Sequence, residues 1–278
     1  MPLDYALLKA LPPIAARHDW TSRDTMIYAL GIGATELPFV YEAELSALPT
    51  MCGVLAYPGF IWKNPDYGVT WQKVLHVEQT IEIHGPIPVE GCFSAETVIE
   101  SIVDKGADKG AIITTSRRIS DGDGHHFATA RGAIIARGDG GFGGGDPAPP
   151  SPEPMPEGAP DFSVSLPTSG SQAMLYRLSG DYNPVHIDPE VARIGGFDRP
   201  ILHGMCTYGV AGRALIAALC DNDPARLVSM TCHFSAPVYP GDTIRTEIWQ
   251  DGAGEARFRA LVEERDLVVL NHGRVQYR

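Results

Sequence analysis

Two short stretches of the chain recur at nearly one spacing, and that repetition limits the architecture more than any composition figure. Met26-Ile-Tyr-Ala-Leu30 returns 148 positions later as Met174-Leu-Tyr-Arg-Leu178. Pro86-Ile-Pro-Val-Glu-Gly91 returns at nearly the same offset as Pro237-Val-Tyr-Pro-Gly241, and a Thr-containing alternating run follows each (Phe93–Ile99 and Asp242–Ile248). Matches that agree in order and spacing indicate an internal duplication. Between the copies, residues 138–160 are dominated by Gly, Pro, Asp, Glu and Ser. Such composition buries too little apolar surface to fold as an element, so it reads as a linker. The expected units are therefore residues 1–137 and 161–278, joined by residues 138–160.

Each half reads as a helical opening followed by strands. In the first, β-branched runs bounded by turn residues predict strands at Gln79–Ile83, Phe93–Ile102, Ala111–Ile119 and Phe127–Ala136. In the second they fall at Leu227–Phe234, Thr243–Gln250, Ala256–Glu263 and Leu267–Tyr277. Gly204–Cys220 is apolar at helical spacing. Gly209 and Gly212 weaken that helix, so they point to close packing of a buried helix against a sheet. The expected class is α+β, with an antiparallel sheet wrapped around a central helix, twice.

Lys plus Arg number 22 against 34 Asp plus Glu, a net charge of −12, which argues against non-specific nucleic-acid binding. The five cysteines are scattered, with no Cys-x-x-Cys, which suits a reducing compartment and argues against a zinc site or a disulfide framework. No 18-residue apolar run, no signal peptide at the start and no Ser-Lys-Leu end are present. The expectation is a cytoplasmic protein without a membrane partner.

The chemistry concentrates in Tyr176-Arg-Leu-Ser-Gly-Asp-Tyr-Asn-Pro-Val-His186 and the following Pro200-Ile-Leu-His-Gly-Met205. Within eleven residues the first supplies a carboxylate (Asp181), an amide (Asn183) and an imidazole (His186). Pro184 and the bias it places on Asn183 predict a fixed, non-helical loop. An acid/base pair on a rigid loop is what water activation requires. The plainer reading is an Asx turn built by Asp181 and Asn183, with His186 opening a helix. At the 148 offset the first copy has Gly33, Thr35 and Pro38 in place of Asp181, Asn183 and His186. Only the second copy is equipped for chemistry.

These motifs resemble the signature of the (R)-specific enoyl-CoA hydratases, the hydratase 2 or MaoC-like family, in its two-domain form. Arg23–Gly33, Leu75–Gln79, Asp104–Gly106, Gly138–Gly144, Phe197–Gly204 and Phe234–Gly241 extend the likeness over nearly the whole chain. The resemblance implies two tandem hot-dog domains and reversible hydration of trans-2-enoyl-CoA to (3R)-3-hydroxyacyl-CoA. By that likeness Asp181 and His186 activate a water, Asn183 orients them, and the Gly204 N–H stabilises charge on the thioester oxygen. A helix-start N–H is suited to that task on general grounds. CoA is part of the substrate, and no separate cofactor or metal is implied. His76, Val77, Phe234 and Lys105 are expected against the ligand, with Tyr182, Pro184 and Val185 of the motif itself. A homodimer is the expected assembly. Three departures stand out: Val77 in place of a common Gly, Tyr182 in place of Trp, and a second Asp-Lys-Gly at residues 108–110 that makes Lys109 an alternative to Lys105.

Other candidates read more simply. His203, just before a buried helix, is expected to pack or cap it, and His125 and His126 to lie exposed on a hairpin. Gly31-Ile-Gly33 follows a helix and lacks a third Gly, which excludes a dinucleotide loop. Two competing functions share the fold and ligand: an acyl-CoA thioesterase, against which the Asp-x-Asn-Pro-x-His spacing argues, and a non-catalytic acyl-CoA-binding subunit, against which the intact trio argues.

Overall fold

Ten antiparallel strands form one sheet in the computed structural model, which describes residues 3–278. The first half supplies β1 (Ile14–Trp20), β2 (Val74–Ile83), β3 (Gly91–Asp104), β4 (Ala111–Ser120) and β5 (His126–Ala136). The second supplies β6 (Phe162–Pro167), β7 (Leu227–Phe234), β8 (Thr243–Gln250), β9 (Glu255–Val262) and β10 (Leu267–Tyr277). Their spatial order, β1-β3-β4-β5-β2-β7-β10-β9-β8-β6, is the same five-strand pattern run twice from opposite edges. The halves meet at β2 and β7, with Glu78 opposite His233 and Thr80 opposite Thr231. The two threonine hydroxyls at that seam are 2.9 Å apart. This is the tandem hot-dog arrangement, and the duplication read from the sequence is visible in it strand for strand.

All eight predicted strands are present, β2 beginning five residues early at Val74. β1 and β6 were not foreseen. They form the two outer edges of the sheet and begin 148 residues apart, at Ile14 and Phe162. Each leads into the helix that the repeat marks: α1 (Ser22–Gly31), opened by a Thr21–Asp24 capping box, and α2 (Gln172–Tyr176).

The expectation of a central helix in both halves needs correcting. The second half has one, α3 (Gly204–Leu219), apolar nearly all round and therefore buried. In the first half the segment before β2 carries Pro49, Pro58 and Pro65 together with Gly53, Gly59 and Gly68. Prolines in a helix interior remove a hydrogen bond and clash with the preceding turn. The segment breaks accordingly into short 3-10 turns at Pro49–Gly53, Ile61–Lys63, Pro65–Tyr67 and Trp71–Lys73.

α3 packs against that irregular segment rather than against the sheet alone. A Cβ at Gly209 would sit 2.5 Å from Ile32 Cγ2, and one at Gly212 would sit 2.6 Å from Thr50 Cγ2. The second half returns the contact by capping α1. Gln172 donates to the Leu30 and Gly31 carbonyls, the Cys206 thiol donates to Gly31, and Arg213 donates to Ile32. These are the carbonyls that a helix end leaves unpaired. One core therefore runs through both halves, including Ile32, Met51 and Leu55 with Tyr208, Leu215 and Phe258. A smaller cluster of Leu8, Trp62, Ile102 and Ile113 lies under the first half.

Residues 138–160 contain no regular element beyond one bridge, Val103 to Gly145. They are nonetheless held by polar contacts. Asp104 accepts from the Gly141 and Gly143 N–H groups, Asp139 from Thr70, and Asp146 from Tyr5, Lys9 and Ile102. Trp249 and Arg257 donate to the Gly158 and Pro154 carbonyls. Among the described residues no helix is long and apolar enough to cross a membrane, and the five cysteines are free thiols.

Ile32 is fully buried and has no room to give at Gly209. Gly209→Ala should therefore lower unfolding stability by about 1–2 kcal/mol, overpacking outweighing the roughly 1 kcal/mol that alanine returns as helix propensity. Chemical denaturation measures this, and a gain in stability would refute the packing account.

Candidate active site

The loop after α2 builds its geometry from its own side chains. Gly180 takes a left-handed turn at φ 114°, which frees the chain to reverse before Asp181. Asp181 Oδ1 accepts the Asn183 N–H at 3.1 Å, and Asn183 Oδ1 accepts the Val185 N–H at 3.2 Å. Asn183 thus caps a single 3-10 turn, Pro184–His186, whose last residue is the histidine. The Asx turns read from the sequence are present, although His186 closes the 3-10 turn rather than opening a helix, and the same amide that shapes the turn aims the ring. Ile201 N–H donates to the Val185 carbonyl and ties the turn to the strand of chain entering α3.

His186 is 8% exposed, and its Nδ1 lies 2.9 Å from the Ile201 carbonyl. A carbonyl only accepts, so Nδ1 carries the proton and Nε2 holds the lone pair. Nε2 stands 3.8 Å from Asp181 Oδ2, beyond direct hydrogen-bonding reach. The Asp181 side chain is about half open to solvent. Burial pushes the His186 pKa below its ordinary value, while the Ile201 carbonyl and the Asp181 carboxylate pull the other way. His186 is therefore a neutral base near neutrality.

His203 was expected to pack or cap, and it packs: as the residue before α3 it makes no capping bond. It is 1% exposed and stacks on His186 with ring centres 3.7 Å apart. Its Nε2 donates to the Asp181 main-chain carbonyl at 3.1 Å, so it holds the Asp181–His186 loop from beneath. Burial, and then the neighbouring His186, lower its pKa. Asp181, His186 and His203 offer ligand atoms within 4.8 Å of one another. With His186 Nδ1 and His203 Nε2 both engaged as donors, the imidazole lone pairs left are on His186 Nε2 and on His203 Nδ1, which is buried without a partner.

α3 begins beside this pair, and no side chain caps it. Phe234, at the end of β7, packs on Gly204: a Cβ there would lie 3.2 Å from its ring. The His76 ring of β2 lies 4.7 Å from the Phe234 ring across the seam. His76 has an exposed surface but protein crowded around its ring, and that surrounding lowers its pKa. Val77 is the extra residue of a bulge between His76 and Glu78 in the β2·β5 register. Tyr182 is exposed, its ring under the Arg177 guanidinium at 5.1 Å. Pro184 is exposed and Val185 half-buried in the turn. Lys105 and Lys109 stand apart on the exposed β3–β4 hairpin, at the end of the sheet that His76 shares. His125 is exposed as expected, whereas His126 is half-buried and bonded to Thr129.

Residues 152–271 match the model of the MaoC like domain, and residues 18–138 match the MFE-2 hydratase 2 N-terminal domain. The chain is 40% identical to "3-hydroxyacyl-thioester dehydratase Y" of Mycobacterium tuberculosis over 93% of each chain. It is 41% identical to "Probable enoyl-CoA hydratase 2" of Dictyostelium discoideum over 92% of this chain and 90% of the other. A MaoC-like dehydratase structure from Phytophthora capsici superposes with a TM-score of 0.89 at 36% identity, covering 99% of each chain. On the fold, the motif geometry and these likenesses together, the chain belongs to the MaoC-like dehydratase and hydratase 2 family.

Proposed function

We propose that the chain catalyses the reversible hydration of trans-2-enoyl-CoA to (3R)-3-hydroxyacyl-CoA. The observation that carries this reading is a basic imidazole nitrogen and a carboxylate oxygen 3.8 Å apart, beside an uncapped helix start. One water can touch both groups at that separation. In the hydration direction His186 Nε2 takes a proton from the water as its oxygen bonds to the β-carbon. Asp181 holds the water, and the pair returns a proton to the α-carbon from the same side, so the addition is syn. Charge developing on the thioester oxygen meets the Gly204 N–H at the positive end of α3, a donor of a kind worth about 3–4 kcal/mol of barrier. Asn183 orients the pair through the turn that it caps.

His76, Val77, Phe234, Tyr182, Pro184 and Val185 line the thioester and pantetheine, and Lys105 or Lys109 meets the phosphates. Residues 1–137 bind the acyl-CoA, 161–278 supply the chemistry and 138–160 connect them. The first half's broken helix, standing where the second half has α3, supports that division. Neither metal nor cofactor enters the reaction. A cytoplasmic homodimer completes the reading. The free thiols support a reducing compartment, and light scattering of the purified chain tests the dimer.

Asp181→Asn and His186→Ala should each reduce hydration of crotonyl-CoA about 10²–10⁴-fold, followed as loss of the conjugated absorbance. Activity retained in both variants would overturn the assignment. A thiol-reactive dye, silent with saturated acyl-CoA, separates hydration from thioester cleavage.

The depressed His186 pKa sets a pH dependence. The acidic limb of kcat/KM should fall below the ordinary imidazole value of about 6.5, because the neutral base persists to lower pH. The same depression means that the unfolded chain binds protons more readily, so stability should decline as pH drops below about 6.5. A limb centred at or above that value contradicts the burial account.

A further inference from the structure

Arg117 places a charge inside the first half without a partner. It lies on β4 between the buried Ile113 and Ile119 and is 6% exposed. Nη2 donates to the Cys52 and Gly53 carbonyls at 3.0 and 2.6 Å, closing the Pro49–Gly53 turn. Nε is buried with no acceptor. Among the described residues no carboxylate pairs with it, and the ionisable groups acting on it are the Tyr57 phenol and the Cys52 thiol. Burial pushes its pKa down to about 10, so it stays charged at neutral pH. An uncompensated buried charge costs several kcal/mol, and buried arginines are ordinarily paired. The turn needs only a neutral N–H donor. Among the described residues the charge is met only by the two carbonyls and the Tyr57 ring, with no anion to neutralise it.

Its position says what the charge faces. A side chain at Gly53 would collide with Met205, in the first turn of α3 and next to Gly204. The Tyr57 ring lies 5.2 Å from the guanidinium, and the Asp181 carboxylate also acts on the Tyr57 phenol. His76, Ile134 and Ile113 share one register row. Arg117 is four residues beyond Ile113 on β4, about 13 Å along the strand and away from the lysine hairpin. If CoA leaves past the hairpin, Arg117 lies at the acyl end.

We propose that Arg117 receives a carboxylate at the far end of the acyl chain, so that the preferred substrates are ω-carboxyacyl thioesters. The inference rests on the hydratase reading for its substrate class, and equilibrium binding tests it without turnover. Calorimetry of the intact chain should show suberyl-CoA bound about tenfold or more tightly than octanoyl-CoA, the gain expected of a charge-assisted pair. Arg117→Gln, which keeps an N–H donor for the two carbonyls, should cut that preference to roughly threefold or less, with Arg117→Lys in between. Equal binding by the unaltered chain, or a preference that survives Arg117→Gln, overturns the proposal. Should both variants unfold on a melting check, the wild-type comparison decides alone. Hydration of trans-2-octenoyl-CoA and its ω-carboxyl analogue is read separately. A suberyl preference with neither enoyl thioester hydrated refutes the hydratase reading and leaves Arg117 its role. Hydration with equal binding does the reverse.

Discussion

The pairing of β2 with β7 is the contact on which the rest of the molecule depends. It turns two five-strand sheets into one, and it brings His76 of the first half beside Phe234 of the second. Phe234 in turn packs on Gly204 and so sets where α3 begins. The seam therefore lays a first-half residue against the helix tip that lies beside Asp181 and His186. Backbone pairing fixes the strands, and the Thr80–Thr231 contact adds a side-chain match at the centre of the seam.

The two copies have diverged in what fills each half. In the second half an apolar helix is buried in the core, and its uncapped N-terminus lies beside Asp181 and His186. In the first half, proline and glycine prevent that helix and leave short turns, one of which Arg117 clasps. The halves then stabilise each other. Glycines in α3 admit Ile32 and Thr50, and second-half donors cap the end of α1. Neither half could keep this core by itself, because its buried residues come from both.

Much of the site was legible because local rules built it. Asp181, Asn183 and Pro184 form a turn from side chain-to-backbone bonds within six residues, so their chemistry and their geometry occupy the same sequence window. His203 was undervalued because its meaning is tertiary. Nothing in Leu-His-Gly announces a ring stacked on His186 and bonded to the Asp181 carbonyl. The edge strands β1 and β6 went unread for different reasons: Ile14–Trp20 alternates weakly in sequence, whereas Phe162–Pro167 alternates cleanly but is short and has no fully buried residue. Gly209 and Gly212 signalled close packing correctly, but their partners are turns of the other half, which periodicity does not reveal.

Periodicity, turn residues and an internal repeat specify eight of the strands, the buried helix and the Asp181–His186 turn, since each is a property of contiguous residues. The union of the halves in one sheet, the loss of the first helix to a set of turns, the stacked histidines and the unpaired charge of Arg117 arise between residues far apart in the chain. Burial and pairing at such distances depend on which surfaces meet, and only the folded molecule decides that.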